Sequence, residues 1–395
     1  SFIGRHKERQ QLKKLISMGG GIRHLIIGDA GVGKTSLVNY VRYEAIKNQF
    51  FTPANEIEIN RSMTCNEFII LTLSSIYSEI KRKNIVLKQE IMEKLEALYE
   101  LTRYGELSHD ISNLTQINTD KLIAMFKEII DDLINPRYNG IILHYDNWDN
   151  INSLKDVLEL LGEIRDFLLS SKKIIFFFVG DKIFSDAVDF KTRVRQIFTT
   201  PHLNVPSLSF IETKKIFEER INKLKMDNAE PICPHTDDTL KLLFELLDGN
   251  LREILNSLTN CILELPSSNT PIVITPQLAK EVLYKKVKEV YLDRLSPAEQ
   301  EILSKVIDME EFTPTQLKEL TGKNMQNISS KYIPKLLEIG AIKLKKEEGR
   351  NRFYAITPPI KWWKLKTQPE ETKRQKLSKK KEINILINKK LSDFI

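Results

Sequence analysis

Gly28, Gly33, Lys34 and Thr35 fit the pattern G-x-x-x-x-G-K-[ST]. Glycines at these places let successive backbone N–H groups turn inward, and those donors, with the N-terminus of a following helix, cradle phosphates. The run Gly28-Asp29-Ala30-Gly31-Val32-Gly33-Lys34-Thr35-Ser36 is therefore a candidate phosphate-binding loop. Lys34 is placed to reach the β- and γ-phosphates of a nucleotide, ATP or its product ADP (which keeps only the β), and Thr35 to ligand Mg²⁺. The cation also needs a carboxylate at the end of a neighbouring strand. Asp146 closes the apolar run Ile141-Ile142-Leu143-His144-Tyr145, which makes Thr35 and Asp146 the candidate metal ligands. Many ATPases of this kind carry a glutamate next, to polarise the attacking water. Here that place holds Asn147, with Asp149 two residues on. Asparagine can orient a water but cannot accept its proton, so Asp146, Asn147 and Asp149 predict slow hydrolysis or a binding-only switch. His144, inside the strand, reads as a packed core residue.

The elements around these residues have the right order. Arg23–Ile27 is an apolar strand entering the loop, and a helix runs from it to about Asn48. Glu56–Asn60 alternates and reads as a second strand. Helical periodicity fills 66–133 in three blocks, broken near 83–84 and between 104 and 118. Gly140–Asp146 is a strand running into a turn, Leu154–Ser170 a helix, and Ile174–Gly180 a fully apolar strand suited to the middle of a parallel sheet. Strands alternating with helices imply a doubly wound α/β layer. From Ser209 to Leu263 the periodicity is helical only. Pro271 and Pro276 bracket a linker, and Gln277–Leu295 is a further helix.

The chain has 395 residues, 60 Lys and Arg against 53 Asp and Glu, and three scattered cysteines, Cys65, Cys233 and Cys261. The length suggests two or three domains. So few cysteines exclude a disulfide-stapled module and read as cytosolic thiols. No apolar run approaches the ~20 residues that span a bilayer, and no signal peptide is visible, so a cytoplasmic location without a membrane partner is expected. The chain opens at Ser1 rather than Met, as a fragment would. The segment 361–395 carries 11 basic and 4 acidic residues, which leaves 49 of each sign in the rest. The whole +7 excess thus matches a basic tail, which points to nucleic acid or, alternatively, to a merely solvated segment.

With the loop and Asp146 placed, the N-terminus becomes informative. Phe2-Ile3-Gly4-Arg5 with Glu8 and Leu12 resembles the entry segment of AAA+ ATPases close to the origin-recognition initiators, and of the related STAND signalling ATPases. The resemblance implies that this segment wraps the adenine, with Arg5 beside it. Asn60-Arg61 followed by Thr64 and Phe68 looks like that group's second-strand neighbourhood. Val179-Gly180-Asp181-Lys182 resembles its first sensor. Asp181 suits a γ-phosphate poorly by charge, and Lys182 is a substitute. Arg193 and Arg195 resemble the stretch carrying an arginine finger that acts on a neighbouring subunit, and they equally suit a solvated helix face. Gly249-Asn250-Leu251-Arg252-Glu253 looks like the second-sensor motif of a helical lid, which implies that Arg252 meets the γ-phosphate. Cys233-Pro234-His235 has no matching pair elsewhere and is not read as a metal site.

Ser296-Pro-Ala-Glu-Gln and Thr313-Pro-Thr-Gln open two helices with good capping chemistry. Asn324–Ile339 is a third, interrupted by Pro334. Ala341–Lys345 and Arg352–Ile356 alternate as two strands. Helix, helix, helix, hairpin is the order of a winged helix–turn–helix. Asn324 and Asn327 suit base edges, and Lys331, Lys345, Lys346, Arg350 and Arg352 suit phosphates. From Thr321 to Pro359 there are 8 basic and 3 acidic residues. The expected architecture is thus an α/β P-loop AAA+ core with a parallel sheet (1–206), an all-α lid (207–265), a connecting helix (266–294), a winged helix (295–360) and a basic tail (361–395). Expected partners are duplex DNA and a second copy or related AAA+ subunit, with nucleoid association if DNA is bound. The rivals are a STAND-type signalling or defence ATPase with a protein-binding winged helix, and an ATPase that loads a partner onto DNA.

Overall fold

The computed structural model describes residues 2–60, 63–105, 118–134, 137–151, 154–198, 200–224, 233–265, 273–348 and 351–366. The chain divides into two units between Ile216 and Phe217.

In the first unit α1 (His6–Ser17) precedes β1 (Ile22–Ile27), and the glycine-rich loop leads into α2 (Lys34–Ile46). Then come β2 (Phe50–Phe51), β3 (Ile57–Glu58), α3 (Cys65–Arg82), α4 (Gln89–Gly105) and α5 (Thr119–Ile134). Next are β4 (Gly140–Asp146), α6 (Leu154–Ile164), β5 (Ile174–Gly180), α7 (Lys182–Phe190), α8 (Thr192–Arg195) and β6 (Leu203–Asn204). The helix α9 (Phe210–Leu224) crosses the division. All described pairings in the sheet are parallel, in the order β2-β4-β5-β1-β6, with β3 also on β4. The strand bearing Asp146 is therefore separated from the strand entering the P-loop by one strand, β5. This is a parallel α/β core in which strand, glycine-rich loop and helix follow one another in the expected order.

Every residue of β4 and β5 is buried. Alternate residues serve opposite faces. Leu143, Tyr145, Phe176 and Phe178 pack with α3, α5 and α6, whereas Ile142, Ile175, Phe177 and Val179 pack with Leu12 of α1 and Leu37, Val38 and Val41 of α2. Burial on both faces is why these strands read as continuous apolar runs rather than alternating ones.

In the first unit the expected second strand over 56–60 differs in kind. The outer edge beside β4 is built from two short pieces: Phe50–Phe51 opposite Gly140–Ile141, and Ile57–Glu58 opposite Tyr145–Asp146. Pro53 lies in the gap. Proline donates no backbone hydrogen bond, so a continuous ladder cannot run through it.

The second unit holds α10 (Asp237–Leu246), α11 (Leu251–Leu263), α12 (Pro276–Val290), α13 (Pro297–Val306) and α14 (Pro314–Thr321). The expected third helix is broken into α15 (Met325–Asn327), a π-helical turn (Ile328–Tyr332) and α16 (Ile333–Glu338). Pro334 falls in the first turn of α16, where its missing N–H is not needed, and the wide turn before it absorbs the break. The antiparallel pair β7 (Ile342–Glu348) and β8 (Asn351–Ile356) follows, and Phe312 makes an isolated antiparallel bridge to Tyr354. A 3₁₀ segment, Pro358–Leu365, then returns to the helices. There Trp362 is buried and its Nε1 donates to Ser257 Oγ at 3.1 Å. Trp362 thus packs on α11 of the same unit. Arg350 and the tail from residue 367 lie outside the described residues. Among the described residues, no helix is long and apolar enough to cross a membrane.

Candidate nucleotide site

The loop Gly28–Gly33 leaves β1 at the carboxyl edge of the sheet and ends at the first turn of α2. Two of its glycines are required by geometry. A Cβ on Gly28 would lie 2.5 Å from the carbonyl oxygen of Val205, and Gly33, the residue capping α2, has φ +93°. Both positions favour a residue without a side chain. Lys34 folds back over the loop and donates to the carbonyls of Gly28 (2.8 Å) and Asp29 (3.0 Å). Burial lowers its pKa, while Asp149, Asp146, Asp181 and Asp29 act in the opposite sense. The charges that favour the ammonium thus come from four aspartates in segments that the sequence separates widely.

Thr35 Oγ1 donates to Asp146 Oδ2 at 2.5 Å, and the backbone N–H of Asn147 donates to Asp146 Oδ1 at 2.8 Å. A hydroxyl and a carboxylate, held side by side at a helix N-terminus, are the hard oxygen donors that suit Mg²⁺. Asp146 is only 5% exposed, and burial raises its pKa against the lowering effect of Thr35 and the Asn147 amide. Asn147 adopts φ +63°, the left-handed region that asparagine tolerates, and so ends the strand sharply. Asp149 is exposed on the next turn. Ser36 and Asp29 are exposed as well.

The other expected site residues are placed differently. Arg5 is 6% exposed, and its guanidinium donates to the carbonyls of Val32 (2.6 Å) and Pro206 (2.7 Å). It braces the loop against the chain beyond β6, with its donors turned to backbone. Asp181 caps α7 by accepting from the N–H of Phe184 at 2.9 Å. Its carboxylate thus serves helix entry at the sensor position. Arg193 lies 3.7 Å from Asp166. Asp166 follows α6, where the chain turns back to begin β5, the edge of the sheet opposite the P-loop. Neither Arg193 nor its exposed helix-mate Arg195 is brought to this chain's own loop. Arg252 is exposed in the first turn of α11, in the second unit, behind the N-cap Asn250.

The sequence reading missed one participant entirely. Arg42 of α2 is buried and donates to Thr52, Asn39, the carbonyl of Asn55 (3.0 Å) and the carbonyl of Pro53 in the gap between β2 and β3. A buried arginine on the P-loop helix was visible only as a charge on an otherwise apolar face.

In the helix–hairpin block, Asn327 and Lys331 are exposed on one surface of the third-helix segment. Asn324 is also exposed, but its side-chain oxygen caps α15 by accepting from Gln326 N at 2.8 Å. Lys345, a candidate phosphate contact, has its ammonium beside Glu310 (3.0 Å) and Glu311 (3.2 Å). Lys346 lies on β7, and Arg352 is exposed on β8, opposite Glu347 in the register.

No protein-family model matches this chain, and no curated protein does. Among solved structures it is similar to the Aeropyrum pernix ORC2 protein in its ADPNP–ADP complexes, at 15% identity over 91% of this chain and 92% of that one, with a TM-score of 0.49. The Aeropyrum pernix ORC1 protein in complex with DNA is similar at 14% identity over 95% of each chain, TM-score 0.46. The Thermotoga maritima RuvB Holliday junction branch migration motor is similar at 14% identity over 90% of this chain and 93% of that one, TM-score 0.40.

Proposed function

We propose that this chain is an ATP-binding, slowly hydrolysing AAA+ switch protein resembling the origin-recognition initiators, which binds duplex DNA through its C-terminal helix–hairpin block and basic tail. The observation that carries the nucleotide half is the pairing of Thr35 with Asp146 beside a glycine-rich loop at a helix N-terminus. The loop amides and Lys34 would hold the β- and γ-phosphates of ATP, or the β-phosphate of ADP, and Thr35 and Asp146 would hold Mg²⁺. When bound, that cation neutralises charge developing on the phosphates. The chain's own residues set geometry: Arg5 braces the loop, Asn147 orients the Asp146 carboxylate through its amide, and Lys34 is held over the loop by the carbonyls of Gly28 and Asp29. Asn147 offers a water no proton acceptor, which is the basis for slow turnover. Arg193 and Arg195, remote from their own loop, suit a role on the site of a second copy or a related AAA+ subunit. Arg252 is the candidate lid contact. A cytoplasmic, nucleoid-associated location belongs to the same reading.

The DNA half rests on the exposed polar surface of Asn327 and Lys331 with the basic excess of the hairpin and tail. One observation favours the rival, a STAND-type protein whose helix–hairpin block contacts protein: the commitment of Lys345 to Glu310 and Glu311 removes one cation from the candidate DNA surface. The salt dependence of duplex binding, measured with and without ATP, decides between them. A DNA reader loses affinity steeply with salt, whereas a binding curve flat in salt, or no binding at all, puts the signalling reading first.

A further inference from the structure

Arg42 reaches one more partner besides the acceptors in the broken edge strand. Its Nη1 lies 3.2 Å from Nδ1 of His144, the residue two before Asp146 on β4. A guanidinium carries five donors and no acceptor, so Nδ1 must be the accepting nitrogen. The imidazole proton therefore sits on Nε2. That nitrogen is fully buried, has no hydrogen-bond partner, and faces Asp146 Oδ2 at 3.6 Å. This is longer than a hydrogen bond, and the Oδ2 atom is the one that already takes the Thr35 hydroxyl.

We infer that Arg42 and His144 are positioning residues for the metal-binding carboxylate: Arg42 fixes the ring and tautomer of His144, and His144 turns an N–H donor toward Asp146. The inference rests on the nucleotide-site reading and deepens it. Three observations separate this arrangement from plain packing. His144 is 1% exposed and Arg42 3% exposed, and polar groups are costly to bury without partners. The guanidinium is satisfied by five acceptors drawn from α2, the edge-strand gap and β4, so its position is over-determined. The remaining donor of the network, His144 Nε2, is turned to the one carboxylate that the P-loop threonine also contacts. Outer partners of this kind orient a metal-binding carboxylate, and their loss typically weakens metal affinity by about 10–100-fold.

The test is a Mg²⁺ titration of the binding of a fluorescent ATP analogue. His144→Leu should raise the Mg²⁺ midpoint at least ~10-fold, while affinity measured in EDTA stays that of the wild type. His144→Gln offers an acceptor and a donor at imidazole-like spacing and should keep the wild-type midpoint. His144→Asn carries the same amide one CH₂ nearer the backbone, so that its oxygen can face Arg42 while its nitrogen falls short of Asp146, and should behave like the leucine variant. An unshifted midpoint in a folded His144→Leu protein overturns the inference. So does an equal loss of Mg²⁺-free affinity, the mark of a purely structural role. Should the leucine variant not fold, identical midpoints for the glutamine and asparagine variants overturn it. A wild-type protein that binds no nucleotide at all would instead overturn the site reading beneath it.

Discussion

The P-loop edge and the helix–hairpin block both place cations and polar side chains where a polyanion could meet them, and they do so in opposite ways. At the P-loop, Lys34, Thr35, Asp146, Arg5 and Arg42 are held by short hydrogen bonds to backbone and to one another, largely out of water. In the second unit, Asn327 and Lys331 project from the surface, and Lys345 is matched by two glutamates. Removing one member of a buried set leaves its partners unsatisfied, whereas an exposed charge acts mostly as part of a summed field. Single substitutions should therefore be decisive in the first region and weak in the second.

The largest expected effect is that of Lys34→Ala. Loss of ATP binding, by more than ~100-fold in calorimetry, is expected with the thermal unfolding midpoint preserved, because the lysine is the point charge facing the phosphates. Unchanged affinity in a folded variant breaks the assignment. Next comes acid sensitivity of the first unit. His24 on β1 is buried, and burial together with the charge of His202 lowers its pKa to about 4. The unfolded chain therefore binds the extra proton below its own pKa of roughly 6.5, and the folded one does not until near 4. Stability is fully present above that upper value and falls by up to about 3 kcal/mol on the way down to the lower one. Urea midpoints measured across this window should converge for His24→Asn, which cannot titrate. A wild-type curve flat in pH would show that the buried ring carries no such linkage.

A collective effect is expected at the hairpin. Replacing Lys346, Arg350 and Arg352 together by alanine should weaken duplex binding and reduce the salt slope by roughly 0.9 for each phosphate no longer neutralised, leaving ATP binding intact. Lys345→Ala alone should leave the slope where it is, because its charge is already paired. A slope change confined to Lys345→Ala would reverse that ranking. The smallest effect is predicted for Asn147→Glu. A carboxylate there adds a proton acceptor, and turnover should rise by about 10-fold or more. The cost is on the order of 1 kcal/mol of stability, since glutamate is less at ease at φ +63° than asparagine. Brisk wild-type turnover, undiminished in Asp149→Ala, would place the base elsewhere.

What the sequence made legible follows the same division. Strands β1, β4 and β5, the P-loop and Asp146 were readable because a two-sided parallel sheet writes unbroken apolar runs and the loop needs glycines at fixed spacing. The split edge strand was not, since two-residue ladders leave no periodicity and only Pro53 hinted at the gap. Arg5 and Asp181 were identified as important positions, but a charged residue name does not reveal whether its atoms turn to ligand or to backbone; here a loop carbonyl and a helix cap take them. His144 looked like core filling because its partner, Arg42, is 102 positions away. Pro334 announced a break in the third helix but not its form, a π-helical turn that lets the exposed residues before it continue on one surface.

The gap between β2 and β3 bears on more than the placement of Arg42. An outer strand is where a sheet can recruit a foreign strand, because its outward N–H and C=O groups repeat at regular intervals. Here the row is cut after two residues, and the carbonyls of Pro53 and Asn55 are turned inward and occupied by a guanidinium. Among the described residues, no template of useful length faces outward on that side. The same kink that holds Arg42 thus also leaves that side of the sheet without a long outward-facing ladder on which edge-to-edge self-association could start.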